Sequence, residues 1–574
     1  MFNSRYLFIK VCVVIILNFI LIFLLDIKFD LTTDKRHTIS FESKEILNNL
    51  DDKIFIKIYL EGELNKDLQY LQDEIISLLT SFKIIAGNNF DYEFINPDIV
   101  STDIQGFYNQ INSDGVLSRT INKNERFKVS QQIIFPGAVI YYKDQKKAIN
   151  LLKYSNKNNI DKQEVNTSIE NLEYKFISGI YRIIQASDNK KQKVAFLNGN
   201  GELSEKELFD LTTSNDDYNL QYHYDIDFFN IKKYKVDTSS IDSGYATKSV
   251  IDHMVNNYKA IIIAQPKVPY TQLEKFIIDQ YLMRGGRIIW FIDGVSADID
   301  SLNQKPSFIA YKNHLNLDDI FYHYGISVGS NLIEDLESTT IPIVNSNDRN
   351  IQNYFKWPYF LFIKSNNSHA IVNNIGPVHG RFVSSIDTIN IKSNKKTVIL
   401  NSSQNSRINP TPAKISFQIA IKPPPKETFK LNNIPVGVLV EGTFESFFKE
   451  NIKKKNKFLT SSVKKSKMIF FSDGDLPKNR VVNNGVTWSP LGYDEFTNNI
   501  YSGNKNIIMN SVHYLCDDTN IFKLKHKQRL LTSLDKKKIN KFRSIIQLTN
   551  IIMPIFLVCI FSFLFKIYKN RKYA

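Results

Sequence analysis

Residues 193–202 read KVAFLNGNGE, and this stretch decides the fold class of the larger part of the chain. An apolar run followed directly by a glycine-rich turn is typical of the first strand of a doubly wound α/β domain. We predict a strand over 193–197 and a helix that begins at Ser204. Gly199 and Gly201 can adopt the positive φ angles that a tight strand-to-helix turn requires.

Apolar runs farther along the chain indicate the same class. The sequence AIIIA at 260–264 is continuously apolar, as a strand buried on both faces of a parallel sheet requires. A second buried strand is expected over 287–292, and the residues between the two strands predict a helix over 271–283. Later elements are expected as strands over 397–400, 436–440 and 468–471 and a last helix over 504–515.

A smaller α/β domain is expected upstream of this one. Its apolar spacing predicts a helix capped by Ser40, a strand over 54–60, a helix over 68–85, a strand over 90–95, and a hairpin of 133–142 with 147–152. Two of these strands flank a helix, so they form a β-α-β unit whose crossover should be right-handed. The predicted domain is thioredoxin-like, and one long helix over 161–186 leads from it into the larger domain.

Two apolar segments near the ends of the chain predict membrane helices. Ser544–Phe565 is 22 residues without charge, and a helix of that length spans about 33 Å against a hydrocarbon core of about 30 Å. Residues 6–25 are predicted to be an uncleaved signal anchor, because no small-residue cleavage site follows them. A buried core helix and a cleaved signal peptide are the respective alternatives.

The predicted fold class is therefore α/β: a two-span membrane protein with a small thioredoxin-like domain, followed by a doubly wound, flavodoxin- or amidotransferase-like domain. The chain is expected to divide into seven parts. These are the signal anchor 1–26, the small α/β domain 27–155, the connecting helix 156–190, the larger domain with insertions 191–520, the basic juxtamembrane segment 521–543, the membrane helix 544–566 and the basic tail 567–574.

The predicted location is the bacterial inner membrane, with both termini in the cytoplasm and the body in the periplasm. Arg5 and Lys10 lie at the N-terminal side of the first apolar segment. A long domain that follows such a segment translocates largely regardless of charge. Literal use of the positive-inside rule would instead leave the body in the cytoplasm, since many basic residues lie in 521–543. Part of the net charge of +15 lies in this segment, which is expected to contact anionic lipid. No nucleic-acid-binding motif accompanies it.

The sequence lacks the common catalytic signatures. It contains no G-x-x-x-x-G-K-[ST] phosphate loop, no H-E-x-x-H pair and no G-x-S-x-G elbow, and its three cysteines cannot form a disulfide framework or a cysteine metal site. We therefore expect no enzymatic activity, no catalytic residue, no cofactor and no metal. ATP hydrolysis by this chain is excluded on the same ground.

Five residues remain as candidates for ligand binding. Backbone N–H groups of the turn that contains Asn198, Gly199, Gly201 and Glu202 could point at an anion, although a purely structural turn is the alternative. Asp293 follows a buried strand directly, and the ligands of doubly wound sheets bind at the carboxyl ends of the strands.

Eight segments follow one another along most of the chain, and none of them is a catalytic signature. They are DLTTDKRHTIS (30–40), NLDDKIFIKIYLEGEL (49–64), IIFPGAVIYY (133–142), SIENLEYKFISGI (168–180), VAFLNGNGEL (194–203), LNLDDIFYHYGI (315–326), IPIVNSN (341–347) and RFVSSIDTI (381–389). In this order they resemble the gliding-associated ABC transporter component of the Gld system of Bacteroidetes, within the broader ABC-transporter auxiliary proteins.

The resemblance implies a non-enzymatic, membrane-anchored auxiliary or substrate-binding component. It implies an ABC permease and a separate ABC ATPase as partners, and a role in gliding motility or an associated secretion. The family has a histidine where Asn200 stands, which argues against a chemical role for that position. Two other functions stay open. One is an amidotransferase-like enzyme with acid/base residues near Asp293 and the 198–202 turn, and the other is a glycan- or peptide-binding module of the envelope.

Overall fold

A computed structural model describes residues 38–573 of the chain. The described part leaves out 100–102, 126–127, 153–159, 161, 188–190, 214–218, 234–242, 345–351, 366–368, 374, 453–457, 483–486, 520 and 527–535. The contacts divide the chain into two compact units. Residues 37–527 form the unit that carries all the sheets among the described residues, and the described C-terminal helix belongs to the other unit.

The described helices and strands alternate irregularly, as in a mixed α/β protein. The helices are α1 (Phe41–Asn48), α2 (Lys66–Ala86), α3 (Ile104–Ser113), α4 (Lys162–Glu170), α5 (Leu172–Ser187), α6 (Phe209–Thr212), α7 (Leu220–His223), α8 (Ser243–Asn257), α9 (Gln272–Met283), α10 (Ser301–Gln304), α11 (Asp318–Tyr324), α12 (Gln418–Ile421), α13 (Lys449–Ile452), α14 (Gly503–Cys516) and α15 (Lys536–Tyr573). The strands of the first half are β1 (Ile54–Ile58), β2 (Phe90–Phe94), β3 (Arg119–Glu125), β4 (Lys128–Ile134), β5 (Gly137–Tyr142), β6 (Gln145–Asn150), β7 (Lys193–Asn198), β8 (Asp225–Asn230), β9 (Tyr258–Ala264) and β10 (Ile288–Phe291). The later strands are β11 (Val295–Ser296), β12 (Phe308–Lys312), β13 (Ile326–Val328), β14 (Asn331–Asp335), β15 (Ser338–Val344), β16 (Gln352–Ser365), β17 (Val378–Arg381), β18 (Ile386–Thr388), β19 (Asn394–Asn401), β20 (Ser406–Pro410), β21 (Ala413–Ile415), β22 (Pro435–Gly442), β23 (Ser466–Phe471), β24 (Val481–Val482), β25 (Thr487–Trp488), β26 (Tyr493–Asp494) and β27 (Asn499–Ile500).

The N-terminal part of the larger unit is built on a four-stranded sheet in the order β2-β1-β5-β6. Strands β1 and β2 are parallel and flank α2, so the predicted β-α-β unit is confirmed. Strand β5 pairs antiparallel with both β1 and β6, which confirms the predicted hairpin. The cap of α1 is also as predicted, because the Ser40 side chain accepts a hydrogen bond from the backbone N–H of Ser43.

Two predicted elements of this region are divided in the structure. The strand expected over 133–142 is broken at Pro136, so that residues 133–134 end β4 and pair with β3. Proline has no N–H to donate, and a continuous central strand cannot accommodate it. The single helix expected over 161–186 is two helices, α4 and α5, which are separated at Asn171.

The second sheet has ten strands and combines two halves. Five parallel strands come in the order β8-β7-β9-β10-β23, and the antiparallel strands β22, β19, β16 and β15 continue the sheet beyond β23. The tenth strand, β17, pairs antiparallel with β16 off this path. Relative to chain order, the parallel half is a 2-1-3-4-5 arrangement, which is a common doubly wound topology. The mixed α/β class is therefore as predicted.

Both faces of the parallel half are covered. Along β7, Val194 and Phe196 belong to one buried apolar cluster, whereas Ala195 and Leu197 belong to another. Successive side chains of a strand point to opposite faces, so two clusters on alternate residues place a core on each side of the sheet. The helix expected to begin at Ser204 is absent, and residues after the turn reach only the four-residue helix α6.

The prediction of a two-span membrane protein is wrong. Within the part of the chain that the structure describes, no helix is both long enough and apolar enough to cross a membrane. The predicted second span lies inside α15, and the uncharged residues make up only part of that helix, whose two ends carry lysine and arginine residues. The predicted signal anchor, 1–26, lies outside the described residues.

Candidate functional site

The parallel half of the large sheet brings polar residues together at one edge. Gln265 follows β9, Asp293 comes two residues after β10, and Asp473 and Asp475 follow β23. Because β9, β10 and β23 are parallel neighbours, their carboxyl ends meet at the same edge. Ligands of doubly wound sheets bind at this edge, so it is the first place to look for a site.

Hydrogen bonds tie these three strand ends to one another. The side-chain amide of Gln265 lies 2.9 Å from Asp293 Oδ2 and also 2.9 Å from Asp475 Oδ1, and it donates to both carboxylates. The backbone N–H of Gly474 donates to Asp293 Oδ1 at 2.6 Å. A side chain at position 474 would collide with Asp293, since an added Cβ would lie 2.6 Å from Oδ2. Glycine therefore permits this close approach.

Burial and the repulsion between neighbouring carboxylates raise the pKa values of Asp293 and Asp473. Burial, and secondarily the negative charge of Asp475, raises the pKa of Asp293 to about 7. Burial raises the pKa of Asp473 well above its usual range, with Asp475 and Asp293 adding to the effect. Like charges held close together disfavour ionisation, so this edge holds protonated carboxyl groups near neutral pH. Such groups can donate as well as accept hydrogen bonds.

Basic side chains lie next to these carboxyl groups and offset part of their negative charge. Arg381, the last residue of β17, forms a two-point ion pair with Glu495 and donates to the Tyr493 carbonyl at 2.9 Å. Its backbone N–H donates to Asp473 Oδ2 at 2.9 Å, which fastens β17 to the end of β23. Lys478 Nζ lies 3.5 Å from Asp475 Oδ1.

Most of these residues, with the exception of Asp473, Gly474 and Glu495, line a cavity of about 500 Å³, which we call the edge cavity. A volume of this size is within the range of small-molecule sites. Its described walls include acidic, basic and aromatic side chains: Glu207, Asp293, Asp298, Asp300, Asp475, Lys267, Lys478, Arg381, Arg480, Phe360, Phe382 and Tyr493. Gln265, Asn313, His379 and Asn504 add neutral polar groups.

Two buried side chains of the edge cavity have a polar atom without a partner among the described residues. His379 is 3% exposed, and its Nε2 has no hydrogen-bond partner among the described residues. Gln265 is 6% exposed, and its Oε1 likewise has no partner there. Burial and the nearby Arg381 lower the pKa of His379 well below its usual value, so its imidazole is neutral. Leaving a buried polar atom unpaired costs free energy, and a bound ligand or water would recover it.

Two residues of the same cavity have an uncommon backbone conformation. Gln265 has φ 53° and Phe382 has φ 50°, which is the left-handed region that side chains other than glycine seldom occupy. Strain of this kind is found preferentially at functional sites, where the surrounding structure maintains it. It supports the edge cavity as the candidate site.

The five predicted site residues are not all brought together. Asp293 lines the edge cavity. Asn198, Gly199, Gly201 and Glu202 are absent from its described lining, and the turn they form packs beside it. The Asn200 carbonyl accepts from the backbone N–H groups of Lys267 and Val268, at 2.8 and 2.9 Å.

The 198–202 turn has a clear structural role. Glu202 accepts a hydrogen bond from the Asn200 N–H and another from the Tyr270 hydroxyl, both at 2.6 Å. Gly199 and Gly201 have φ 125° and 72°, as a turn built on glycine requires. The geometry therefore agrees with the alternative of a structural turn, and a ligand-binding role for these four residues stays a prediction.

Sequence reasoning missed Gln265, His379, Arg381, Asp473 and Asp475. The signal that led to Asp293 could have found three of them, because Gln265 follows the apolar run 260–264 and the two aspartates follow the run 468–471. His379 and Arg381 belong to the short strand β17, which no apolar periodicity indicates. Among the described residues, no cluster of His, Cys, Asp or Glu has the arrangement to hold a metal ion.

Comparison with known proteins identifies the family. Residues 191–511, which contain all these strand ends, match the family described as "ABC-type uncharacterized transport system". The chain belongs to this family. The family groups auxiliary proteins of ABC-type transport systems. Residues 33–141 match a second family, described only as a domain of unknown function.

The similarities to individual proteins are distant. An uncharacterized protein of Borreliella burgdorferi is 24% identical over 339 residues, which cover 59% of this chain and 56% of that protein. The chain thus spans about half the length of this relative. The N-terminal domain of mmIFT52 aligns over 56% of this chain and 97% of its own length, with 12% identity and a TM-score of 0.31. The more specific resemblance to the Gld gliding component of Bacteroidetes finds no support in these comparisons.

Proposed function

We propose that this transport-family protein is a non-enzymatic, substrate-binding component that works with an ABC permease and a separate ABC ATPase. The observation that carries the proposal is the edge cavity, which lies at the ligand-binding edge of the parallel strands. The unpaired buried atoms of His379 and Gln265 favour an occupant that forms hydrogen bonds. The absence of a phosphate loop from the sequence fits a separate ATPase.

The proposed place of action is the outer side of the bacterial inner membrane. The permease would hold the protein there, and the basic segment 521–543 would contact anionic lipid headgroups. The proposed process is gliding motility or an associated secretion, which rests on the resemblance of the eight segments alone. Protease added to intact spheroplasts should digest the body without lysis, whereas protection until lysis would place the body in the cytoplasm.

The partners can be tested by affinity capture. A tagged copy expressed at its natural level, extracted in mild detergent, should recover a polytopic permease and an ABC ATPase. An untagged strain serves as the control for background binding. Recovery of neither protein, when both are present in the extract, would contradict the transporter role.

Substrate binding can be separated from assembly with one variant. Gln265→Leu removes the amide that joins Asp293 and Asp475, and it should fail to restore the phenotype of a deletion strain while still capturing permease and ATPase. Gln272→Ala, at an exposed position of α9, is the matched control and should restore the phenotype fully. Full restoration by Gln265→Leu would show that the edge cavity is not the substrate site.

The purified chain should neither bind nor hydrolyse ATP, because nothing in the sequence supplies the glycine-rich loop and the lysine that hold phosphates. Isothermal titration calorimetry and a phosphate-release assay measure the two properties. Turnover above background in a preparation free of the ATPase partner would contradict the expectation.

The edge cavity also favours one second candidate, an acid/base enzyme. A carboxyl group with a pKa of about 7 in a cavity is suited to general acid catalysis at neutral pH. Its predicted partner, the 198–202 turn, lies outside the described lining, and both oxygens of Asp293 already accept hydrogen bonds from the protein. Hydrolysis of a panel of amide, ester and glycoside substrates that Asp293→Asn abolishes would establish this alternative over the non-enzymatic role.

A further inference from the structure

Hydrogen-bond acceptors are left over in the edge cavity where the parallel strands end. The amide nitrogen of Gln265 donates to Asp293 and to Asp475, because a carboxylate accepts hydrogen bonds and only the nitrogen of an amide can donate them. The Oε1 atom of the same amide is therefore left over, buried and without a partner among the described residues. Asp475 supplies a second such acceptor, since its Oδ1 accepts from Gln265 while its Oδ2 accepts no hydrogen bond from the described residues.

Three of the four basic side chains in the described lining already form ion pairs within the protein. Arg381 and Arg480 both pair with Glu495. Lys478 Nζ lies 3.5 Å from Asp475 Oδ1, which is longer than a usual N–H···O hydrogen bond. Lys478 therefore offsets part of the charge of Asp475 without filling its second oxygen.

Two other polar groups of the lining do not reverse this balance. Lys267, the fourth basic residue, is exposed to solvent. Burial and the charge of Arg381 lower the pKa of His379 well below its usual value, so its imidazole adds no positive charge near neutral pH. The unfilled hydrogen-bonding capacity around Gln265 and Asp475 therefore calls for donors.

We propose that the edge cavity binds its ligand through a protonated primary amine, held by Gln265, Asp293 and Asp475. An ammonium group has three N–H donors and no acceptor, so it can serve the amide oxygen and both carboxylates. Its hydrogen bonds to carboxylates are charge-assisted and about twice as strong as neutral ones. A hydroxyl group has a single donor and would leave acceptors unfilled. The inference rests on the proposed substrate-binding role and names the chemical group by which the substrate is recognised.

Binding of the amine is linked to the loss of a proton from Asp293. Burial, and secondarily the charge of Asp475, raises the pKa of Asp293 to about 7, and Lys478 opposes this rise. Asp473 and Asp293 also disfavour each other's ionisation. The other charged or titratable residues of the described lining are Glu207, Lys267, Asp298, Asp300, His379, Arg381, Arg480 and Tyr493.

The direction of the pH dependence follows from this protonation. Below pH 7 the ammonium group must displace the proton of Asp293 into solvent before it can pair with the carboxylate, whereas above pH 7 the carboxylate is already ionised. The affinity for the amine should therefore fall about tenfold between pH 8 and pH 6. A neutral ligand exchanges no proton in this way.

Matched pairs of probes test the proposal on the full chain: phenethylamine with phenethyl alcohol, and 1,4-diaminobutane with 1,4-butanediol. Alkyl amines resemble the lysine side chain, whose pKa is about 10.4, so both amines stay protonated at pH 6 and pH 8. Thermal unfolding at several probe concentrations gives the affinity, because a ligand of the folded state raises the midpoint. At pH 8 each amine should bind about tenfold or more tightly than its alcohol, and this advantage should shrink at pH 6.

Two variants remove the carboxylates one at a time. Asp475→Asn should weaken amine binding at pH 8 about tenfold or more, because it removes a charged acceptor. Asp293→Asn should bind the amines with the same affinity at pH 6 and pH 8. Asp387→Asn is the matched control: it replaces an exposed aspartate of β18 outside the described lining and should behave as the wild type.

Four results would overturn the proposal: alcohols that bind as tightly as the amines, no binding of either amine, amine binding that is the same at pH 6 and pH 8, or amine binding that Asp475→Asn leaves unchanged. Failure of the substrate-binding role is recognised separately. In that case Gln265→Leu would restore the phenotype of the deletion strain, whatever the probes show.

Discussion

Replacing Asp293 by asparagine should change how the stability of this protein depends on pH. The pKa of Asp293 is raised to about 7 in the folded state, against about 3.9 for an unperturbed aspartate. Between these values the folded state binds more protons than the unfolded state. The contribution of Asp293 to the free energy of unfolding is therefore fully present below pH 4 and is lost as the pH rises through 7. The stability of the wild type should fall over that range and level off above it.

The size of the effect follows from the same two pKa values. A difference of about 3 units corresponds to an upper limit of about 4 kcal/mol, of which about 2–3 kcal/mol falls between pH 5 and pH 8. Asparagine cannot ionise, but it keeps only one acceptor for the donors of Gly474 and Gln265, which costs about 1 kcal/mol at every pH. Gln265 can reduce this cost by turning its unpaired Oε1 toward the new amide.

The expected outcome is a variant within about 1 kcal/mol of the wild type at pH 5 and about 3 kcal/mol more stable at pH 8. Urea unfolding followed by tryptophan fluorescence at several pH values measures the difference, and taking the difference cancels the other titrating groups. Asp298→Asn removes a carboxylate from the exposed mouth of the same cavity and should keep the pH dependence of the wild type. A stability difference for Asp293→Asn that is the same at pH 5 and pH 8, within about 0.5 kcal/mol, would refute the reasoning.

Three further predictions concern separate features. The pKa of His379 is lowered, so the wild type should lose stability as the pH falls below about 6.5. His379→Gln should remove this loss, as urea unfolding at pH 5 and pH 7 would measure. Gly503→Ala should destabilise the protein by about 2–3 kcal/mol in urea unfolding, because an added Cβ would lie 2.1 Å from the Pro377 carbonyl oxygen. Thr271→Ala should cost about 1 kcal/mol in the same assay, because Thr271 forms a capping box with Glu274 at the start of α9.

The Gly503→Ala and Thr271→Ala predictions each have a control variant in the same helix. Lys505→Ala, two residues after Gly503 in α14, changes the same helix without a clash and should stay within about 0.5 kcal/mol of the wild type. Gln272→Ala is the corresponding control for α9 and should likewise stay within about 0.5 kcal/mol of the wild type. An effect of Thr271→Ala no larger than that of Gln272→Ala would show that the cap contributes little, and an unchanged acid loss in His379→Gln would assign that loss to another group.

Local patterns in the sequence were sufficient for the elements they describe. The apolar run 260–264 is buried along its length because it lies in the middle of a parallel sheet, and this environment selects continuous apolar residues. Ser40 and Thr271 cap helices at the positions where their side chains can accept from backbone N–H groups. Predictions failed where the outcome depends on a break, as at Pro136 and Asn171, and for the predicted second span, which lies within the longer helix α15.

The site was harder to predict because its parts are far apart in the chain. Asp293 and Asp475 share the amide of Gln265, yet nothing local indicates that β9, β10 and β23 are neighbours. Strand order is a tertiary property that depends on which apolar faces pack together. His379 and Arg381 were beyond prediction for a stronger reason, since β17 is only four residues long and pairs solely with β16 in the described part of the chain.

The lining of the edge cavity includes residues from two parts of the fold: the carboxyl ends of the parallel strands, and the short antiparallel strand β17. We call Gln265, Asp293 and Asp475 the floor of the cavity, and side-chain hydrogen bonds from Gln265 hold them together where three parallel strands end. Another part of the lining, the wall formed by His379 and Arg381, comes from β17, and the backbone N–H of Arg381 rather than its side chain attaches this strand to Asp473 at the end of β23. Side chains on β17 can therefore change without breaking that attachment. If the edge cavity binds the transported substrate as proposed, replacing the His379 or Arg381 side chain should change which substrate binds, whereas the attachment of β17 should stay intact.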